Sequence, residues 1–131
     1  MAEQYSVLIA DDSAFARRLV KRYLDGTEFR IVAEATNGIE AVAQYKAHSP
    51  DLVVLDVIMP EASGTDVLTS IMGLDPNAAV LMLSSLGTED TVSQCLTTGA
   101  KTFIQKPFEK DALLGALRRL LVKKDVAGDS P

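Results

Sequence analysis

The chain has 131 residues, 47% of them hydrophobic and 24% charged, with no Trp, a single Cys and a net charge of −5. That length suits one domain burying roughly two-thirds of the surface its unfolded chain would expose, around a core of aliphatic side chains. The acidic balance argues against nucleic-acid binding, the lone Cys95 excludes an internal disulfide and reads as a small core residue, and no run approaches the ~20 apolar residues of a membrane span.

Met1-Ala-Glu-Gln leads straight into a short apolar run without a signal-like segment, so the protein is expected to be soluble and cytoplasmic. That run, residues 5–10, stops at Asp11-Asp12-Ser13, where the pattern changes from strand to helix. Phe15, Leu19 and Tyr23, with Ala16, Val20 and Leu24 beside them, repeat every four residues and predict a helix over 13–25 that stops at Gly26. Either Asp12 or Ser13 could cap it. Residues 29–36 read as a second strand, poorer in apolar residues and so expected at an edge, and the Asn37-Gly38 turn precedes a helix over 39–47.

Leu52-Val-Val-Leu-Asp-Val-Ile-Met-Pro60, bounded by Ser49-Pro50-Asp51, has the composition of a strand buried on both faces of a parallel sheet. It delivers one acidic side chain, Asp56, to its end; taken alone, such an Asp could simply begin a turn. A loop over 61–64 leads to a helix with Val67, Leu68, Ile71 and Leu74 on one face. A fourth strand over 78–83 ends at Ser84-Ser85, and the helix over 88–98 carries only a thin stripe of Val92, Cys95, Leu96 and Gly99. The fifth strand, 102–105, is closed by Lys106-Pro107, and Leu113, Ala116, Leu117 and Leu120 give the last helix a strong inner stripe. Residues 1–124 read as one domain and 125–131, small and polar, as a flexible C-terminal tail.

Five strand-helix pairs in succession predict the α/β class: a single doubly wound, five-stranded parallel sheet with right-handed crossovers and helices on both faces. Such sheets bind ligands at the carboxyl ends of their strands. There the chain places Asp11 and Asp12, Asp56, Ser84 and Lys106. Carboxylates crowded together repel, by about 4 kcal/mol for a pair 4 Å apart at an effective dielectric near 20, so cations must neutralise them. Lys106 supplies one charge, and oxygen-only donors without His or Cys suit magnesium for the rest. Metal, lysine, hydroxyl and carboxylate together are the equipment for phosphoryl transfer onto Asp56.

With these residues the chain resembles the receiver domains of two-component response regulators, most of all the stand-alone chemotaxis regulators of the CheY type. The resemblance rests on the Asp11-Asp12 pair, on Asp56 in Asp-Val-Ile-Met-Pro, on Ser84, on Lys106-Pro107, on Gly99-Ala100 before the fifth strand and on Phe103 within it, and it covers about residues 5–122. It implies a flavodoxin-like (βα)5 fold with strand order 2-1-3-4-5. It further implies that Asp56 is the phosphoacceptor, that Asp12, Asp56 and the backbone carbonyl of Ile58 ligate Mg2+ directly, and that Asp11 reaches the metal through water. Ser84 and Lys106 are then catalytic groups that hold the phosphoryl oxygens, Ser84 being preferred over Ser85 because it stands 22 positions before Lys106. Ser84 and Phe103 form the conformational switch, Phe103 standing where chemotaxis members usually carry Tyr. The implied partners are a histidine kinase or phosphotransfer protein docking near the basic helix of Arg17, Arg18, Lys21 and Arg22, an output protein on the fourth helix, fifth strand and fifth helix, such as a flagellar motor switch protein, and a phosphatase.

Ile58 and Leu86 stand two residues after Asp56 and Ser84, where the family flanks the path of the hydrolytic water; aliphatic groups there imply slow loss of the phosphoryl group. The same residues leave room for a receiver half of a longer regulator, such as a chemotaxis methylesterase. A magnesium phosphohydrolase of the haloacid dehalogenase type fits less well, since it wants an acid where Ile58 stands, and an FMN carrier would find its phosphate repelled by Asp11 and Asp12. His48 reads as an exposed helix-end residue.

Overall fold

The apolar runs become the strands of one sheet, and each returns through a helix to start the next from the same side. In the computed structural model, which describes residues 4–85 and 87–129 with side chains through 121, the order is β1 (Tyr5–Ala10), α1 (Ala14–Leu24), β2 (Phe29–Ala35), α2 (Gly38–His48), β3 (Leu52–Asp56), α3 (Gly64–Leu74), β4 (Val80–Ser84), α4 (Glu89–Thr98), β5 (Thr102–Gln105) and α5 (Lys110–Asp129). All neighbouring strands are parallel, in the order β2-β1-β3-β4-β5. The fold is the doubly wound, flavodoxin-like sheet expected, with the less apolar β2 at an edge.

Side chains alternate across a strand, so a strand covered on both faces must be apolar throughout. Leu8, Val53, Leu55, Val80 and Met82 point to the side of α2, α3 and α4, where they meet Ala41, Tyr45, Val67, Leu68, Ile71 and Cys95. Val7, Ile9, Leu52, Val54, Leu81 and Leu83 point the other way, to Val20 and Leu24 of α1 and to Leu113, Leu117 and Leu120 of α5. Every residue of β3 and β4 is buried. Burying a large aliphatic side chain contributes about 1.5–3 kcal/mol, so these strands anchor the carboxyl edge rigidly.

The inner faces of three helices differ from expectation. In α1 the buried residues are Val20 and Leu24, while Phe15 in the first turn is 69% exposed. The row of residues 16, 20 and 24 lies on the sheet, and Tyr23 turns toward the start of α5, its ring edge-on to Phe108 at 5.9 Å. Leu74 ends α3 and lines an open groove with Tyr45 and Asp75 instead of joining the core. In α4 only Cys95 of the expected stripe is buried, and Leu96 is exposed. This helix packs on α3 and on the short outer strand β5, which offer it little surface. Gly99 ends α4 at φ 130°, a conformation that L side chains resist.

The backbone of α5 stays helical through Asp129, past residue 124, into the segment read as a tail. Among the described residues, no helix is long and apolar enough to cross a membrane.

Candidate functional site

The ends of β1, β3, β4 and β5 converge at the carboxyl edge. Asp11 follows β1 and extends its ladder, its N–H donating to the Ala35 carbonyl at 3.0 Å. Asp56 is the last residue of β3 and pairs in register with Leu83, which places Ser84 one residue further along the neighbouring strand. Ser84 is fully buried, and its carbonyl accepts from the Lys106 N–H at 2.9 Å, so the same strand end carries the hydroxyl and seats the lysine. The Lys106–Pro107 peptide is cis. Beneath Asp56, Gly64 opens α3 and its N–H donates to the Val57 carbonyl at 2.7 Å. A β-carbon on Gly64 would press into the Asp56 carbonyl and come within 2.6 Å of Val57 Cα, so the chain passes there only as glycine.

Carboxylate oxygens of Asp11, Asp12 and Asp56 all lie within 4.8 Å of one another. Asp11 and Asp56 are buried, Asp12 exposed. Ser13, not Asp12, caps α1: its Oγ accepts from the Ala16 N–H at 3.2 Å, which leaves the Asp12 carboxylate unused by the helix. Asp11 Oδ1 accepts from the Ser13 N–H at 2.9 Å, and Asp56 Oδ1 from the Ile58 N–H at 3.2 Å. Lys106 Nζ donates to Asp11 Oδ2 at 2.7 Å and to Asp56 Oδ2 at 3.4 Å.

Burial and then the charge of Asp11 hold the Asp56 carboxyl above the usual carboxylate range, against the opposing pull of Lys106 and the Ile58 N–H. Burial works against the Lys106 ammonium, but the hydrogen bond and charge of Asp11, with those of Asp56, outweigh it and push its pKa up. Lys106 thus stays charged, and one lysine faces more negative charge than it can neutralise. An excess of hard oxygen donors crowded around one point fits a divalent cation such as magnesium.

Asp11, Asp12, Asp56 and Lys106 meet here, and Ser84 stands at the adjoining end of β4. Phe103, half-buried, packs against the core on the α4 side of the sheet, and Ile58, two residues after Asp56, is 51% exposed. Leu86 lies outside the described residues, and His48 is exposed as expected. Arg17, grouped by the sequence with Arg18, Lys21 and Arg22 on one basic helix face, does not share their exposure. Its side chain is only 16% exposed and donates both to the Asp11 carbonyl, at 2.7 Å, and to Glu34, at 3.1 Å. The signal was Glu34 itself, an acid in an otherwise apolar stretch of β2. Next to the acids, Phe15, Leu19, Leu83, Lys106, Pro107 and Phe108 line an apolar pocket of about 270 Å3.

The sequence pattern of the response regulator receiver domain matches residues 7–118. The chain belongs to the response regulator receiver family. It is 44% identical over 117 residues to the chemotaxis protein CheY of Bacillus subtilis, an alignment covering 89% of this chain and 98% of that protein. A chain in the crystal structure of the CheX–CheY–BeF3–Mg2+ complex from Borrelia burgdorferi superposes with a TM-score of 0.88 at 40% identity, covering 91% of this receiver and 90% of that chain. The receiver is also 41% identical over 106 residues to a protein-glutamate methylesterase/protein-glutamine glutaminase of Idiomarina loihiensis, covering 79% of this chain and 27% of that protein. It is a two-component signalling domain of the CheY-like type.

Proposed function

We propose that this receiver takes a phosphoryl group onto Asp56 from a phosphohistidine of a histidine kinase or phosphotransfer protein, and that the modified domain signals in chemotaxis. The convergence of Asp56 with Asp11, Asp12 and Lys106 on one buried edge carries this reading. A carboxylate oxygen of Asp56 attacks phosphorus, the bond from phosphorus to the imidazole nitrogen breaks, and the histidine leaves as neutral imidazole after taking a proton. Asp12, Asp56 and the Ile58 carbonyl would hold Mg2+ directly, and Asp11 through water. The bound ion would supply positive charge where the phosphoryl oxygens gather negative charge. Lys106, whose Nζ stands 3.4 Å from Asp56 Oδ2, supplies the same from the protein. The apolar pocket around Phe15 and Phe108 opens beside Lys106 and gives the phosphodonor a seat next to the acceptor.

Ser84, buried at the end of β4, is the hydroxyl suited to follow the phosphoryl oxygens, and Phe103 is the neighbouring side chain that would turn inward behind it. With one buried residue, α4 is weakly anchored and suited to shift, so α4, β5 and α5 form the face offered to an output protein such as a flagellar motor switch protein. Outside its own phosphorylation and dephosphorylation the domain performs no catalysis, and it works in the cytoplasm. The methylesterase likeness favours a second reading, a receiver attached to an output domain, with the same chemistry at Asp56.

Incubation with acetyl phosphate and Mg2+ should label the protein once, and Asp56→Asn should abolish labelling. Beryllofluoride should shift amides in residues 88–122 as well as at the acidic edge. Undiminished labelling of the Asn variant would overturn the acceptor assignment, and a silent 88–122 segment the switch.

A further inference from the structure

We propose that Arg17 is a positioning residue for the metal carboxylates: from α1 it holds the peptide joining Asp11 to Asp12 and so sets how the two acids face a divalent cation. The inference rests on the reading of Asp11, Asp12 and Asp56 as a magnesium site.

Arg17 bonds with two nitrogens in two directions. Nη1 donates to the Asp11 carbonyl at 2.7 Å, and Nε donates to Glu34 Oε1 at 3.1 Å. Glu34 is itself held by Lys21, whose Nζ donates to the second carboxylate oxygen at 2.9 Å. Glu34 sits in β2 beside Ala35, the residue whose carbonyl accepts the Asp11 N–H. Both polar groups of the Asp11 backbone are therefore tied to β2, one directly and one through the guanidinium.

The peptide is planar, so pinning the Asp11 carbonyl also orients the nitrogen of Asp12. Asp12 is exposed and does not cap the helix, which leaves the direction of its carboxylate to be inherited from that peptide. A guanidinium is a rigid fork that meets two acceptors in one fixed relation, which an ammonium on a flexible stem does not reproduce. With Arg17 removed, the Asp11 carbonyl is free to turn toward water, and metal binding must then order the loop as well as fill the site.

Simple electrostatics and positioning predict opposite signs. Deleting a cation beside a cation site should tighten Mg2+, whereas losing the brace should weaken it. The experiment is a Mg2+ titration followed by backbone amide shifts in the wild type, Arg17→Gln, Arg17→Lys, Glu34→Gln, the Arg17→Gln/Glu34→Gln double variant and Asp12→Ala. Arg17→Gln and Arg17→Lys should each weaken Mg2+ by about tenfold, the lower end of what partners behind metal ligands contribute. Glu34→Gln should weaken it too, and lose most of that effect on the Arg17→Gln background. Arg17→Lys keeps the charge and serves if Arg17→Gln does not give a dispersed spectrum. Unchanged or tighter Mg2+ in a folded Arg17 variant overturns the proposal, as does a Glu34 effect that persists without Arg17. A wild type that ignores Mg2+, or an Asp12→Ala variant that binds it as well as the wild type, overturns the metal reading and this inference with it.

Discussion

Lys106 leans on Asp11 rather than on Asp56: its ammonium stands 2.7 Å from Asp11 Oδ2 and 3.4 Å from Asp56 Oδ2. The shorter arm of the buried ion pair is thus made with the acid that is not the proposed acceptor. Asp11 also holds the Ser13 N–H, so it knits β1, the start of α1 and the end of β5 together. Asp12 has no such duty and adds repulsion. Urea unfolding in the presence of a chelator should separate the two acids by sign. Asp11→Ala should lose about 1–3 kcal/mol, as expected when a charged hydrogen bond is broken in a buried site. Asp12→Ala should unfold at a slightly higher urea concentration than the wild type. Equal destabilisation by both would show that crowding of the carboxylates carries no cost.

Gly64 gives a second test, on the floor of the site. A methyl group there meets the Asp56 carbonyl and the Val57 backbone, neither of which is a flexible side chain that can step aside. Gly64→Ala should cost about 1–3 kcal/mol by overpacking, and should slow labelling of Asp56 because the acceptor strand is displaced. Gly73, an exposed glycine of α3 around which a β-carbon finds open space, is the control: Gly73→Ala should stabilise the domain and leave labelling unchanged.

The strands were legible because a parallel strand covered on both faces must be an unbroken apolar run, and 52–55 and 80–83 meet that demand without exception. The site was legible for the same reason: each run ends where a polar residue begins. Helix faces were harder. In α1 two apolar rows lie side by side, and choosing between Phe15-Leu19-Tyr23 and Ala16-Val20-Leu24 depends on how the helix rolls on the sheet, which periodicity does not encode. The role of Arg17 was hidden because a basic residue among basic residues reads as solvated until the position of Glu34 across α1 and β2 is known.

Acid should unfold the domain partly through two glutamates. The hydrogen bond and charge of Arg118 lower the Glu28 pKa to about 2 from its ordinary 4.5, and Lys21, then Arg17, lower that of Glu34. Both are depressed in the folded state, so their contribution is present in full above the unfolded value near 4.5. It is lost as the pH falls below that value toward the folded pKa of each. Arg118 is exposed and Glu28 partly so, and the contribution is therefore small and screened by salt. Stability measured between pH 6 and pH 2 should therefore fall less steeply in Glu28→Gln than in the wild type, and the difference should shrink in about 1 M salt. Parallel curves for the two proteins would assign the acid sensitivity elsewhere.

Ile58 bears on how long a phosphoryl group would last on Asp56. Its N–H donates to the Asp56 carboxylate, and the residue is 51% exposed. An aliphatic group there cannot accept or donate a hydrogen bond, so it cannot orient a water for attack on phosphorus, and it is expected to hinder the approach of one. Losing one orienting contact raises the barrier by about 1.4–3 kcal/mol, or one to two orders of magnitude in rate. The sequence puts a second aliphatic residue, Leu86, two positions after Ser84. The phosphorylated protein is therefore expected to decay slowly once the donor is removed, and to need a separate phosphatase for a quick response. Ile58→Asn should shorten its lifetime, and adding Leu86→Glu should shorten it further, while the Mg2+ affinity changes little because the ligand proposed at Ile58 is its backbone carbonyl. Following phosphate release after rapid removal of acetyl phosphate checks this directly. A wild-type lifetime of seconds, or a double variant that decays no faster, would remove water exclusion as the cause.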